Sequence, residues 1–291
     1  MDFPRQPTRG QHPRWVRFLL RVTVVACTLI AGLVVTLIVA NPSGSVARFR
    51  ATFDPQSTCS PWGVIPIHNR ALIYQQNEWN SFGLQCARVH DAGFTLTRAH
   101  FDLPNGIPAT YPSIYVGCHW GRCTDPACSH LPIQVSHLAT ALTSVETDEI
   151  TGQDSFDVAY DIWFNKTPTT SGQPNGTEVM IWINRSGFPE PAGYAGSVLI
   201  DGASWRVYTS TPTMWNVYTR TQSMWNMVSY IRDPGTSSVT NLDLKPFFAD
   251  AIAHGNLNPS WYLIDVEMGF EVWTGGQDLA IRNYSVNITA Q

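Results

Sequence analysis

The chain has 291 residues and a formal net charge of −4, but residues 51–291 carry 11 basic and 21 acidic side chains, a balance of −10 that an arginine-rich start conceals. Such a surface excludes nucleic acid as a natural partner. Ten of the eleven tryptophans fall in that same part, whose roughly 240 residues suffice for one exported domain with a sizeable core.

In chain order, residues 1–17 form a basic tail and residues 18–40 an apolar segment. Five arginines (Arg5, Arg9, Arg14, Arg17, Arg21) precede an uncharged run of 19 residues from Val22 to Ala40. A signal-peptide core usually has about 7–15 apolar residues and a membrane span about 20, so the length favours an uncleaved anchor. Ser45-Val-Ala47 supplies a cleavage site for the alternative, a secreted protein. Either way the arginines stay inside and the rest is exported. Residues 41–55 read as a linker and residues 56–291 as the working domain.

Period-two alternation recurs through the domain, most plainly in Phe156–Phe164, Glu178–Asn184, Ser204–Tyr208 and Leu263–Trp273. Turn signals separate the runs at Asn105-Gly, Ser171-Gly, Asn175-Gly and Asp233-Pro-Gly235. The fold class predicted is all-β: a jelly-roll sandwich of two curved antiparallel sheets with an open concave cleft. One short helix is predicted over Leu244–His254, with Asp243 as N-cap, Pro246 in its first turn and Gly255 beyond. Thr and Met-Trp-Asn recur at a period of ten in Thr211–Arg220 and Thr221–Tyr230, a local duplication that lengthens a hairpin or gives a cleft an extra platform in Trp215 or Trp225. Of six cysteines, Cys27 lies in the leader, leaving Cys59, Cys86, Cys118, Cys123 and Cys128 in a compartment that favours disulfides. Cys118, His119, Cys123, Cys128 and His130 cluster closely but lack the paired C-x-x-C of structural zinc, so metal is the weaker reading.

Side chains two apart on a strand share a face, which groups Glu178 with Met180, Trp182 and Asn184, and Asp161 with Trp163. Glu271 shares parity with Asp265, Glu267, Gly269 and Trp273; Gly269 is expected to leave room for a sugar ring. Two carboxylates on strands beside tryptophans suit glycoside hydrolysis, because indoles stack on sugar rings and desolvation separates an acid from a nucleophile.

The ordered pieces Gln76-Asn-Glu-Trp79, Leu84-Gln-Cys86, Tyr111–Cys123, Ala159-Tyr-Asp-Ile-Trp163, Glu178-Val-Met-Ile-Trp182 and Gly269-Phe-Glu-Val-Trp273 run over nearly the whole domain. In these the chain resembles glycoside hydrolase family 12, exported endo-β-1,4-glucanases and xyloglucanases. The resemblance implies a retaining mechanism with Glu178 as nucleophile, Glu271 as acid/base and Asp161 hydrogen-bonded to Glu178. It implies substrate contacts from Asn77, Trp79 and Met180, and disulfides Cys59–Cys86 and Cys118–Cys123. Trp163 and Trp182 are expected to offer further stacking faces. No cofactor or metal is called for, and a monomer acting on a β-glucan is expected.

Two departures stand out: Val272 replaces the family's proline after the acid/base, and Glu267 its amide four residues before. Glu267 is expected to raise the pKa of Glu271 or to alter a sugar contact. The rival reading is a jelly-roll carbohydrate-binding protein that keeps the aromatic cleft without cutting.

Overall fold

Alternating side chains give this domain two faces per strand, and burying one face of each of two sheets builds a sandwich. The computed structural model describes residues 56–291 apart from 81–82, 105, 150–151, 153, 188–189, 211–214, 217–220 and 223–224, together with the backbone of 39–40 and 46–47. The predicted tail, anchor and most of the linker lie outside the described residues. Among those described, no helix is long and apolar enough to cross a membrane. The unit described below runs from Asp54 to Gln291.

Its strands of four or more residues are β1 (Val64–Ile67), β2 (Leu72–Gln75), β3 (Gln85–His90), β4 (Gly93–Asp102), β5 (Ser113–His119), β6 (Leu138–Asp148), β7 (Ser155–Asn165), β8 (Thr177–Ser186), β9 (Tyr194–Ile200), β10 (Ala203–Ser210), β11 (Asn226–Asp233), β12 (Ser238–Asp243), β13 (Tyr262–Gly269), β14 (Val272–Gly276) and β15 (Ala280–Ala290). The larger sheet runs β9-β10-β11-β8-β7-β13-β5-β2-β1, antiparallel except where β8 and β11 run parallel. The other sheet runs β3-β4-β15-β6-β12. Strand β4 belongs to both, pairing Phe94 and Thr95 with β15 and His100 to Asp102 with β14.

On the inner face of the larger sheet, Phe156, Val158, Tyr160, Ile162 and Phe164 of β7 and Val179, Ile181 and Ile183 of β8 are buried in the common core. Tyr284 of β15 ties the two layers by donating its hydroxyl to the Val266 carbonyl at 2.7 Å. Each fully buried side chain of this size contributes about 1.5–3 kcal/mol relative to exposure.

Among the described residues there are two α-helices, where one was expected. The first, α1 (Pro126–Ser129), is a single turn whose Asp125 accepts from the Ala127 N–H at 2.9 Å. Four residues carry no helical periodicity, so only the Asp-Pro cap could have marked it. The second, α2 (Lys245–Ala253), matches the predicted helix, and the Asp243 carboxylate accepts from the Lys245 N–H at 3.0 Å. Phe247 packs edge-on against Trp205 and Tyr230, and Phe248 against Phe164, which covers one end of the core.

Disulfides join Cys59 to Cys86 and Cys118 to Cys123. Cys128 is free and exposed.

Candidate active site

The outward face of the larger sheet is a lattice that its register fixes. One rung reads Met227, Glu178, Trp163, Asp265 and Gly117. The next reads Ser229, Met180, Asp161, Glu267 and Tyr115. The third reads Ile231, Trp182, Ala159, Gly269 and Ser113. Glu271 follows where β13 ends, held to the start of β7 through Asp157.

Of these, Met227, Glu178, Trp163, Asp161, Glu267 and Glu271 line a groove of about 680 Å³, joined there by Asn77 and Trp79. Trp62 and Trp120, which the sequence did not assign to the cleft, and Trp225, one of the two platform candidates of the repeat, add three more indoles. The rings form a chain: Trp120 meets Trp163 edge-on at 5.3 Å, and Trp163 meets Trp225 at 5.1 Å. Trp79 and Trp120 are 39% and 40% exposed, so their faces are open to a ligand.

Two expected contacts lie elsewhere. Met180 and Trp182 are buried in a side cluster with Ala159, Tyr208, Ile231 and Trp273, and neither lines the groove. Their parity is as predicted; Tyr208 and Trp273 pack over that end of the sheet. The four-residue face predicted for β8 ends at Trp182, because a bulge opposite Val158 and Ala159 sets Asn184 across from the core residue Val158. Asn184 donates instead to Glu149 at 2.5 Å. Gly269 has a different purpose from the one expected, since a Cβ there would come within 2.3 Å of the Pro112 carbonyl oxygen. Its bareness lets two strands approach.

The carboxyl groups differ in what holds them. Glu178 is buried, and Trp225 Nε1 donates to its Oε2 at 2.7 Å. Burial pushes its pKa up to about 8, against the pull of that indole bond; the Glu267 charge pushes upward too. Glu271 is pushed well above the ordinary carboxyl range by burial, then by the Asp157 carboxyl beside it and by Glu178. The nucleophile candidate thus has a donor that favours its charged form, and the acid candidate a carboxyl neighbour that favours its proton.

Asp161 sits on the adjacent rung to Glu178, but its Oδ1 has no hydrogen-bond partner among the described residues. The expected bond to Glu178 is not made through that oxygen. Burial and then the Glu178 charge push Asp161 well up, while the Tyr111 hydroxyl pulls the other way. Trp225, from the duplicated segment, is the residue that touches Glu178; the period-ten repeat was the signal for it. The side chain of Trp215 lies outside the described residues.

Glu267 does not act on Glu271 as expected. It is tied to His119 Nδ1 at 2.5 Å, to Gln75 at 2.7 Å and to Ser113 at 2.8 Å. Burial raises its pKa, but the His119 ring and these bonds outweigh burial and leave it lowered. The acid beside Glu271 is Asp157, which shares the outward face of β7 with Asp161 and was legible from parity alone. His119, Asp265 and Glu267 bring ligand atoms within 4.8 Å of one another, a set that could hold a cation. Burial and then the Glu267 charge push the Asp265 carboxyl well above the usual carboxylate range, which favours a proton on it, and neither of its oxygens has a hydrogen-bond partner among the described residues.

A sandwich whose grooved sheet sets a buried nucleophile candidate and a partly buried acid candidate under exposed indoles defines a glycoside hydrolase that receives a sugar chain along a groove. Residues 70–289 match the model of glycosyl hydrolase family 12, and the chain belongs to that family. It is similar to a probable cellulase, Cel12b, of Mycobacterium tuberculosis, 27% identical over 55% of this chain and 98% of that protein. Endoglucanase S of Pectobacterium parmentieri is 29% identical over 61% of this chain and 65% of its own length. Among solved structures, endoglucanase cel12A from Rhodothermus marinus superposes with a TM-score of 0.74 at 36% identity, covering 81% of this chain and 99% of that one. A family 12 xyloglucanase from Bacillus licheniformis gives 0.68 at 27% identity, over 80% of this chain and all of that one.

Proposed function

We propose that the domain cuts internal β-1,4 bonds of a β-glucan by a retaining double displacement, with Glu178 as nucleophile and Glu271 as acid/base. The observation that carries the assignment is the unequal company of the two carboxyls: an N–H on Glu178 and a carboxyl beside Glu271. Raising the pH removes the proton first from the group whose anion is hydrogen-bonded, so Glu178 ionises while Glu271 still holds the proton that the leaving oxygen needs.

In the first step Glu178 bonds to the anomeric carbon as the glycosidic bond breaks, and the Glu271 proton goes to the departing sugar hydroxyl. In the second, Glu271 takes a proton from water, which displaces Glu178 and leaves the product with its original anomeric configuration. Asp161, buried beside Glu178, is pushed well up by burial and by the Glu178 charge, which favours its protonated form next to the nucleophile. Trp79, Trp120 and Trp163 receive sugar rings, and Asn77 contributes a polar contact. The groove is open to solvent, which suits attack in mid-chain, and we expect the domain to act as a monomer. Export through the N-terminal apolar segment, anchored or cleaved, would bring such a domain to an extracellular glucan.

The test is the viscosity of barley β-glucan together with proton NMR of the first-formed product. A rapid loss of viscosity, a β-anomeric product and loss of both in Glu178→Gln and Glu271→Gln are expected. An α-anomeric product, or activity surviving in Glu178→Gln, would overturn the assignment.

A further inference from the structure

Trp225 is held where it is by the strand that follows it. Asn226 donates its N–H to the Gly176 carbonyl at 3.1 Å and its side-chain amide to the Asn256 carbonyl at 3.2 Å, just as β11 begins to run parallel to β8. Met227 stands beside Glu178 in that register, so the residue before β11 overhangs the end of the nucleophile's strand. The indole is half-buried, its edge set against Trp163 at an interplanar angle of 69°, with Nε1 aimed at Glu178 Oε2.

Indole nitrogen only donates, so the bond can be made to either state of the glutamate, but it is stronger to the one whose oxygens carry the charge. A bond from N–H to an ionised carboxylate is roughly twice as strong as a neutral one. The other candidate for steadying the nucleophile, Asp161, leaves Oδ1 without a partner and faces Glu178 as a second carboxyl.

We infer that Trp225 is the positioning residue of the nucleophile: its indole N–H fixes Glu178 Oε2, leaves Oε1 for the anomeric carbon, and favours the carboxylate over the acid. This rests on the reading of Glu178 as nucleophile. Besides Trp225, the groups around Glu178 are Asp161 on β7, Glu267 on β13 and Glu271 beyond it, each able to act on its charge. All three are carboxyls, so the indole is the group that opposes them.

Trp225→Phe keeps a smaller aromatic ring beside Trp163 and removes the donor. On barley β-glucan, kcat is expected to fall about 10- to 100-fold, the range for losing a hydrogen bond to a charged group. KM stays within about twofold, and the acid limb of the kcat/KM profile moves to higher pH, because losing a bond to the anion raises the carboxyl pKa. A stacking platform alone would give the opposite split, with KM raised and the acid limb in place, and that result overturns the proposal. A measurement on the unmodified protein is independent of how the variant folds: the indole ¹⁵N–¹H resonance of Trp225 should shift with the same apparent pKa as the acid limb. A resonance that stays flat across that limb also overturns it. Trapping with a 2-deoxy-2-fluoro-β-cellobioside, followed by peptide mass analysis, separates this from the underlying assignment. A label on Glu178 with an unmoved acid limb in Trp225→Phe sinks only the role of Trp225, whereas a label on another residue sinks the assignment of the nucleophile as well.

Discussion

Asp157 and Glu271 grip each other in both directions: the Asp157 N–H donates to the Glu271 carbonyl at 3.0 Å, and the Glu271 N–H donates to Asp157 Oδ1 at 3.1 Å. Asp157 Oδ2 has no partner of its own among the described residues. A proton on the Glu271 carboxyl satisfies it, which accounts for the upward push on Glu271 and for the lowering that the same bond exerts on Asp157 against its burial.

Asp157→Asn is the direct consequence. An amide keeps an oxygen for the Glu271 N–H but removes the carboxyl that holds the Glu271 proton, so the acid/base loses that proton at lower pH. The basic limb of kcat/KM should move down by about one pH unit, a typical effect of one near carboxyl, while the acid limb stays. The check is a pH–rate profile of the variant on soluble β-glucan; a basic limb in its original place would show that Asp157 does not help hold the proton.

Stability should depend on pH with a definite sign. Asp157, Asp161, Glu178, Asp265 and Glu271 are all raised, so each binds its proton more tightly folded than unfolded. Their contribution is greatest below the unfolded value and is lost as pH rises through the folded one, a window from 4.5 to about 8 for Glu178. Within its window one such group costs about 1.4 kcal/mol per pH unit. Glu267, being lowered, acts oppositely and loses its contribution only as pH falls below 4.5. The melting temperature should therefore peak in the mildly acid range and fall toward pH 8, and Glu178→Gln should flatten part of that fall. Calorimetry across pH 4 to 9 measures both.

Much of this was legible because period two is read directly from residue types. Parity put Trp163 beside Asp161 on one strand and grouped Glu178 with Met180 and Trp182 on another. What parity cannot supply is the partner on the next strand, and errors arose there. Trp182 has the right parity for a sugar contact yet lies under Tyr208 and Trp273, which come from distant strands. Asn184 is displaced by a bulge, and Gly269 answers to Pro112 across the sheet. Glu267 looked like a neighbour of Glu271 along the chain, but His119 and Gln75 claim it from other strands.

The two tryptophan classes should separate in mutants. Trp120 is 40% exposed over the groove, so Trp120→Ala should raise KM for cello-oligosaccharides by about 2- to 12-fold, the range for about 0.5–1.5 kcal/mol of lost ring contact, with little change in melting temperature. Trp182 is 3% exposed and packs against Trp273, so Trp182→Ala should cost about 3–5 kcal/mol of stability. Unfolding curves and Michaelis kinetics on both variants test the division, and a binding defect in Trp182→Phe with unchanged stability would contradict it.

The Cys118–Cys123 bridge spans only five positions in sequence, so its chain-entropy contribution is the smaller of the two, about 2 kcal/mol against about 3.5 kcal/mol for Cys59–Cys86. Its position gives it a larger effect on function. It closes the turn that carries His119 and Trp120, and those two hold Glu267 at 2.5 Å and cover Trp163 at 5.3 Å. Cys118→Ser combined with Cys123→Ser should lower the melting temperature modestly but raise KM several-fold, as Trp120 loses its fixed approach to the groove. Cys59→Ser combined with Cys86→Ser should do the reverse, lowering the melting temperature more while leaving KM near its original value. Parallel thermal and kinetic measurements on the two double variants decide it, and equal KM effects in both would mean the turn needs no bridge to hold Trp120 in place.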